Sequence, residues 1–343
     1  MLDTDTQPTV IARRQGRIGR LTLNRPRALN ALTLEMVGII QDALTTWEHD
    51  PAVHLLVAEG GGGRAFCAGG DIRAIRDAAV AGDWERVQEF LAGEYAVNLR
   101  IARYPKPYVA LVDGICMGGG LGVSVHGAFR VATEAAVFAM PEIGIGLFPD
   151  VGMGYVLPRL RGHVGMYMAL TGARLSGADA VYAGLATHFT TRERLASLAD
   201  KLAAHGLAAL AEAASPAPPS PLAEAADDLA CFAGESVPAI LLALQQRGTP
   251  FANAAIEAIR AGSPGSVLWS FELMHAGAKA GLEQAFEADI ALARVATPYP
   301  DFVEGVRAMV VDKDRSPRWR HARIEDVPAV EVDEWRRVVT ERA

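Results

Sequence analysis

Apolar and polar residues alternate through Ile18-Gly19-Arg20-Leu21-Thr22-Leu23, the period of a half-buried strand, and Asn24-Arg25-Pro26 breaks it. Thr33 can then cap a helix. Glu35 falls in its first turn, and Leu34, Val37, Ile40, Gln41 and Leu44 repeat at helical spacing until Asp50-Pro51 stops them. Val53-His54-Leu55-Leu56-Val57-Ala58 is a short apolar run bounded by glycines 60 to 63, which predicts a buried strand, and Tyr108 to Val112 predicts another. Strand, helix, strand alternation over the first half predicts an α/β or mixed layered architecture, with ligands near strand ends where glycine turns cluster.

The second half has a different pattern. Four prolines between Ala213 and Pro221 predict a linker or long surface loop. Ala- and Leu-rich periodic segments at about 222–245, 252–261 and 266–293 then predict helices. The expected organisation is a core over 10–210 followed by a helical C-terminal region over 211–343.

Composition narrows the classes. At 343 residues, 50% hydrophobic and 21% charged, the chain can bury a full-sized core and does not have the composition of a disordered protein. A formal charge of −7 without a long basic stripe argues against nucleic acid as a partner. Lys313, Arg315, Arg318, Arg320 and Arg323 form a local basic cluster, readable as a solvated face or as a contact for an anion such as a ligand phosphate. Three scattered cysteines, Cys67, Cys116 and Cys231, make neither a disulfide framework nor a zinc motif, so a reducing compartment is expected, and the cytoplasm with it. The N-terminal residues Met1 to Pro8 are acidic and polar, unlike a secretory signal or an Arg-rich transit peptide. No uncharged apolar run reaches about 18 residues, so no membrane span is expected.

The candidate chemistry lies in two kinds of feature. Glu142 and Asp150 stand eight apart in an apolar, glycine-rich stretch from Met140 to Gly152, readable as a buried acidic site or as solvated loop acids. Two glycine turns, Phe66-Cys67-Ala68-Gly69-Gly70-Asp71-Ile72 and Gly114-Ile115-Cys116-Met117-Gly118-Gly119-Gly120-Leu121-Gly122, each follow a predicted strand and open a predicted helix. Such turns can expose backbone N–H groups to a developing oxyanion, or can simply be tight turns. Other templates fail: there is no G-x-G-x-x-G, no Walker lysine and no H-E-x-x-H. Gly122-Val123-Ser124-Val125-His126 approximates a nucleophile elbow, but His126 occupies its second glycine position, so Ser124 reads as structural and His126 as a capping or core histidine.

With these residues in view, the chain resembles the crotonase (enoyl-CoA hydratase/isomerase) superfamily. Ala68-Gly69-Gly70-Asp71, the Met117-to-Gly122 turn and Met140-Pro141-Glu142 follow its order and spacing. Phe148-Pro149-Asp150-Val151-Gly152, Glu304-Gly305-Val306-Arg307-Ala308 and the run from Asp312 to Trp319 are similar to the subgroup that hydrolyses hydroxyacyl-CoA esters. The resemblance implies an α/β spiral of ββα units with a helical C-terminal region, acyl-CoA as substrate, no cofactor beyond the CoA of the substrate, no metal, and trimers or hexamers. It implies cleavage of the thioesters of 3-hydroxyisobutyryl-CoA and 3-hydroxypropionyl-CoA, as in valine catabolism, with hydratase or isomerase chemistry on another acyl-CoA, or acyl-CoA binding without catalysis, as the alternatives. By position, Gly70 and Gly119 would form the oxyanion hole, while Glu142 and Asp150 would be catalytic. Glu94, Asn30, Ala68, Gly69, Asp71 and Ile72 would contact substrate, as would Gly119 itself, with residues 25–30 along the CoA nucleotide.

Departures from the family pattern choose the subgroup. Hydratases carry a first glutamate where this chain has Gly122, and one glutamate cannot act as both base and acid in adding water across a double bond. Asp150 stands where hydratases carry glycine and hydroxyacyl hydrolases aspartate. Met153 stands where the subgroup commonly has glycine, which would reshape the acyl pocket.

Overall fold

The computed structural model describes residues 7–341. The N-terminal stretch Met1 to Thr6, expected to be no leader, lies outside the described residues. The contacts divide the chain into two compact units that interleave along the sequence. The first takes the chain up to Gly70 together with Gly93–Phe138 and Leu175–Ser220. The second takes Asp71–Ala92, Ala139–Arg174 and the chain from Pro221 onward. The boundary expected near residue 210 falls inside the last segment of the first unit.

The first unit is built on a sheet whose six strands lie in the order Val10–Gln15, Ile18–Leu23, Leu55–Gly60, Tyr108–Val112, Phe129–Ala132 and His188–Phe189. The first two pair antiparallel through a tight turn at Gly16, whose φ of +56° suits glycine. The remaining neighbours are parallel. Parallel neighbours need a crossover, and the helix Leu34–Glu48 supplies the first, its N-terminus capped by the Thr33 side chain accepting from the Met36 N–H. Trp47 near its end lies so close over Gly19 that any Cβ there would meet the indole ring. On one side of the sheet Ile18, Leu55, Val57, Val109, Leu111 and Val131 bury against Leu198, Leu202 and Leu210. Their spacing of two along each strand puts them on one face.

A second sheet orders four short strands as Ala65–Cys67, Ile115–Met117, Val137–Ala139 and Leu175–Ser176. Ala65 pairs with Ile115 and Cys67 with Cys116 in parallel, so the two strands enter their glycine turns side by side.

The second unit is mainly helical. Ser236, Thr249 and Ser263 each accept a backbone N–H at the start of Val237–Arg247, Pro250–Ala261 and Pro264–Gly277, and a proline follows each within two residues. The segment expected to be helical over 222–245 is divided into two single turns, a 3-10 turn and the helix Val237–Arg247, because Gly234-Glu235-Ser236 ends one element and caps the next. The segment expected over 266–293 is likewise two helices, Pro264–Gly277 and Leu282–Ala296, parted around Gly281. Pro264–Gly277 is buried nearly throughout, its apolar residues Val267, Leu268, Phe271, Leu273 and Met274 spread around the helix rather than along one stripe, and its Trp269 meets Tyr299 and Trp335 edge-on at 5.1 and 5.2 Å between ring centroids. Among the described residues no helix is long and apolar enough to cross a membrane.

Candidate active site

In the first unit the two glycine turns come together. Gly69 adopts φ +116° and Gly118 φ +49°, conformations that leave little room for a side chain. A Cβ on Gly69 would lie 3.4 Å from the Met117 carbonyl oxygen, and one on Gly119 would lie 3.3 Å from the Gly70 nitrogen. The turns thus approach at backbone distance, as two N–H groups serving one oxyanion require. Gly119 opens the helix Gly119–Val125, where the Leu121 and Gly122 N–H groups donate back to the Gly118 carbonyl. Glu94, on the helix Trp84–Ala102 and only 3% exposed, reaches this cluster, its Oε1 occupying the space that a Gly119 side chain would need.

Asn30 lies behind this cluster. Its Oδ1 accepts the Arg25 N–H at 2.9 Å, and its Nδ2 donates to the Gly61 and Ala65 carbonyls at 3.0 and 2.9 Å. Fully buried with φ +58°, it ties the 25–30 turn to the strand that leads into Gly70. Ala68 donates its N–H to the Leu29 carbonyl, extending that brace. Ser124 donates to the Gly120 and Leu121 carbonyls inside its own helix, a back-bonded core serine. Burial pushes the Cys67 and Cys116 thiols far up, the latter to about 12, which keeps both inert.

In the second unit Asp71 and Ile72 begin the helix Ile72–Val80, at its N-cap and first position. Glu142 and Asp150 lie in one continuous segment, 5% and 6% exposed, so the solvated-acid reading falls and the buried one stands. Glu142 opens the 3-10 turn Glu142–Ile145 and its carbonyl accepts the Leu147 N–H. That turn is fixed at two points. The Ser263 N–H donates to the Ile143 carbonyl at 2.9 Å, and Gly146, at φ +70°, packs so tightly on the Asp301 backbone that no side chain fits.

Asp150 precedes Val151 at φ +53° and Gly152 at φ +79°, a left-handed pair in which the β-branched valine is strained. The Gly152 N–H donates to Asp289 Oδ2 at 2.7 Å. Asp289 has no exposed surface, and burial, with the nearby Asp150 charge adding to it, holds its carboxyl well above the usual carboxylate range against the pull of the Gly152 N–H. Sequence reading missed Asp289. The signal was there: Ala285, Phe286, Asp289, Leu292, Ala293 and Ala296 form one buried stripe at helical spacing, with a single acid in it. Met153, the departure next to Asp150, is fully buried at the start of the turn Met153–Val156.

The basic cluster is spread over an exposed loop. Arg320 pairs with Glu331 and lies over the Tyr299 ring, and Arg323 pairs with Asp326. Asp312 and Asp314, neighbours of Lys313 and Arg315, turn instead to Arg307, which also holds Glu304 through two bonds. Among the described residues no group of three or more His, Cys, Asp or Glu is placed to hold a metal ion.

A family model described as Enoyl-CoA hydratase/isomerase matches residues 18–335. The chain belongs to that family. A chicken (Gallus gallus) protein named 3-hydroxyisobutyryl-CoA hydrolase, mitochondrial, is 43% identical, the match covering 96% of this chain and 89% of the relative. The human protein of the same name is also 43% identical, over 94% and 87%. The crystal structure of a carnitinyl-CoA dehydratase from Mycobacterium thermoresistibile superposes with a TM-score of 0.92 at 39% identity, covering 96% of each chain. The fold is therefore the mixed α/β crotonase fold with a helical C-terminal region. The expectation of a cytoplasmic protein is corrected by the two hydrolase relatives, which are named as mitochondrial. Cysteine usage could not separate the two, since it reports only that a compartment is reducing.

Proposed function

We propose that this family member hydrolyses the thioester of 3-hydroxyisobutyryl-CoA, and of 3-hydroxypropionyl-CoA, to the free hydroxy acid and CoA, the former a step of valine breakdown. The observation that carries the reading is the pair of buried acids Glu142 and Asp150 in a chain whose first hydratase glutamate is replaced by Gly122. A thiolate leaves without strong protonation, so one glutamate suffices for thioester cleavage where it does not for hydration. The names of the relatives that align along almost the full length support the same reaction.

The residue roles follow the family resemblance. The N–H groups of Gly70 and Gly119 hold the thioester oxygen as it gains charge. Glu142 either attacks the carbonyl carbon, expelling CoA thiolate and leaving an acyl anhydride that water then opens, or takes a proton from water as that water attacks. Asp150 holds the 3-hydroxyl and places the hydrolytic water. The reaction calls on no cofactor, because CoA belongs to the substrate, and the family's habit of oligomerising makes a homotrimer or hexamer the expected assembly.

A second reading, dehydration or hydration of another acyl-CoA, is favoured by the close superposition on the mycobacterial carnitinyl-CoA dehydratase. Thiol release followed with a thiol-reactive dye decides between them. Release from the two hydroxyacyl esters with crotonyl-CoA untouched supports the hydrolase; loss of crotonyl absorbance without free thiol replaces it by hydratase chemistry. Label from 18O-water found in Glu142 after a single turnover would select the anhydride route.

A further inference from the structure

Asp150 stands at the head of a turn that its own sequence does not favour. Val151 is β-branched at φ +53° and Gly152 follows at φ +79°, so the chain reverses through two left-handed residues immediately after the acid. Two of the hydrogen bonds at that turn bear on its position. The Met153 N–H donates to the Asp150 carbonyl at 3.0 Å, which closes the turn locally, and the Gly152 N–H donates to Asp289 Oδ2 at 2.7 Å, which ties it to a helix more than a hundred residues onward. The tie comes from the middle of Leu282–Ala296, from the buried stripe of that helix, where the backbone is fully committed and cannot drift. Asp289 Oδ1 is buried without a hydrogen-bond partner among the described residues. A carboxylate with a single bond, no solvent and another acid nearby is a poor anion, whereas a protonated carboxyl accepts one N–H through its carbonyl oxygen at little cost. Glu272 and Arg336, on the neighbouring helices Pro264–Gly277 and Ala329–Thr340, neutralise each other in a two-bond pair, which leaves Asp150 as the charge acting on Asp289.

We infer that Asp289 is a positioning residue for the hydrolysis: through Oδ2 it holds the strained Val151-Gly152 turn and so fixes where Asp150 presents its carboxylate. Asp289 touches no reacting atom and acts only through Asp150. The inference rests on the role given to Asp150 under the proposed function.

The test compares Asp289→Asn, which keeps an acceptor oxygen of the same shape, with Asp289→Leu, which does not. Each is made alone and on an Asp150→Asn background, with kcat and KM on 3-hydroxyisobutyryl-CoA. We expect Asp289→Leu to lower kcat on the order of tenfold or more with the native state still formed, and Asp289→Asn to recover most of that loss, as removal and restoration of one buried acceptor would do. On the Asp150→Asn background Asp289→Leu should cost little more, since residues acting as a unit are not additive. Full additivity there, or Asp289→Asn as damaging as Asp289→Leu, would overturn the inference. Should Asp289→Leu not fold, Asp289→Asn decides alone, because a folded Asn variant that has lost turnover is incompatible with a simple acceptor. Hydrogen exchange of the Gly152 amide supplies a readout that needs no turnover. It should quicken in Asp289→Leu and stay protected in Asp289→Asn, and unchanged protection in the Leu variant refutes the tie. If the wild-type chain releases no thiol from hydroxyacyl-CoA, the proposed function fails, while Gly152 exchange still decides whether Asp289 holds the turn.

Discussion

A side chain on Gly119 would run into Oε1 of Glu94 and sit 3.3 Å from the Gly70 nitrogen, so the glycine turn and the glutamate share one crowded space. Gly119→Ala should therefore displace either Glu94 or the Gly70 N–H while leaving the sheet beneath intact. We expect kcat/KM for thiol release to drop by roughly 10²-fold, the scale for losing one oxyanion donor, with the melting temperature lowered only a few degrees. Near-wild-type turnover in the Ala variant would show that these N–H groups do not serve the reaction.

Much of this was legible in the sequence where a short-range rule governs. The strand Ile18–Leu23 and the helix capped by Thr33 lie where period and capping place them, because each is decided by residues within a few positions. The glycine turns were visible as strand-end glycines, but their mutual approach was not, since it depends on the parallel pairing of Cys67 with Cys116 from strands some fifty residues apart. The breaks before Ser236 and around Gly281 went unread because strong Ala and Leu periodicity on both sides outweighed single capping residues. The interleaving of the two units depends on which distant segments pack together, and no local pattern encodes that. Asn30, expected at the substrate, makes three side-chain bonds to backbone, a bracing use that residue type alone does not disclose.

Glu142 and Asp150 should separate in their effects. Glu142→Gln keeps size and hydrogen bonding but removes the nucleophile or base, so turnover should vanish while the affinity for the CoA ester stays nearly unchanged. Asp150→Asn should instead act on substrate choice. If Asp150 holds the 3-hydroxyl, the variant loses more on 3-hydroxyisobutyryl-CoA than on isobutyryl-CoA, by about 10-fold or more for one charged hydrogen bond. Equal losses on the two esters would remove Asp150 from recognition of the hydroxyl.

The thiols give a test that is independent of activity. Cys67 and Cys116 are fully buried and their thiols are pushed far up, whereas Cys231 is partly exposed and raised less. With a thiol-reactive dye at about pH 8, near the ordinary thiol pKa, the native protein should label at Cys231 alone, and slowly, with Cys67 and Cys116 appearing only in denaturant. Fast labelling of Cys67 would mean that the glycine-turn cluster opens in solution. The same experiment sets the background for the thiol-release assay.

Asp289 also predicts how stability changes with pH. Its folded carboxyl titrates well above the usual range, through burial first and the Asp150 charge in addition, while in the unfolded chain it titrates near the usual value of about 4. Between those two values the folded state holds a proton that the unfolded state has released. The associated stability is thus complete below about pH 4 and is lost as pH rises toward the folded value, by up to about 1.4 kcal/mol per pH unit for this group. Asp289→Asn cannot ionise and lacks this slope. Urea unfolding at several pH values from about 5 upward should therefore find the Asn variant gaining on the wild type until the folded Asp289 itself ionises, because the two chains differ only in whether residue 289 must keep a proton to stay buried. Parallel stability curves across that range would mean that Asp289 is already ionised in the folded protein, and that the turn beneath Asp150 is held by an anion rather than by a neutral acid.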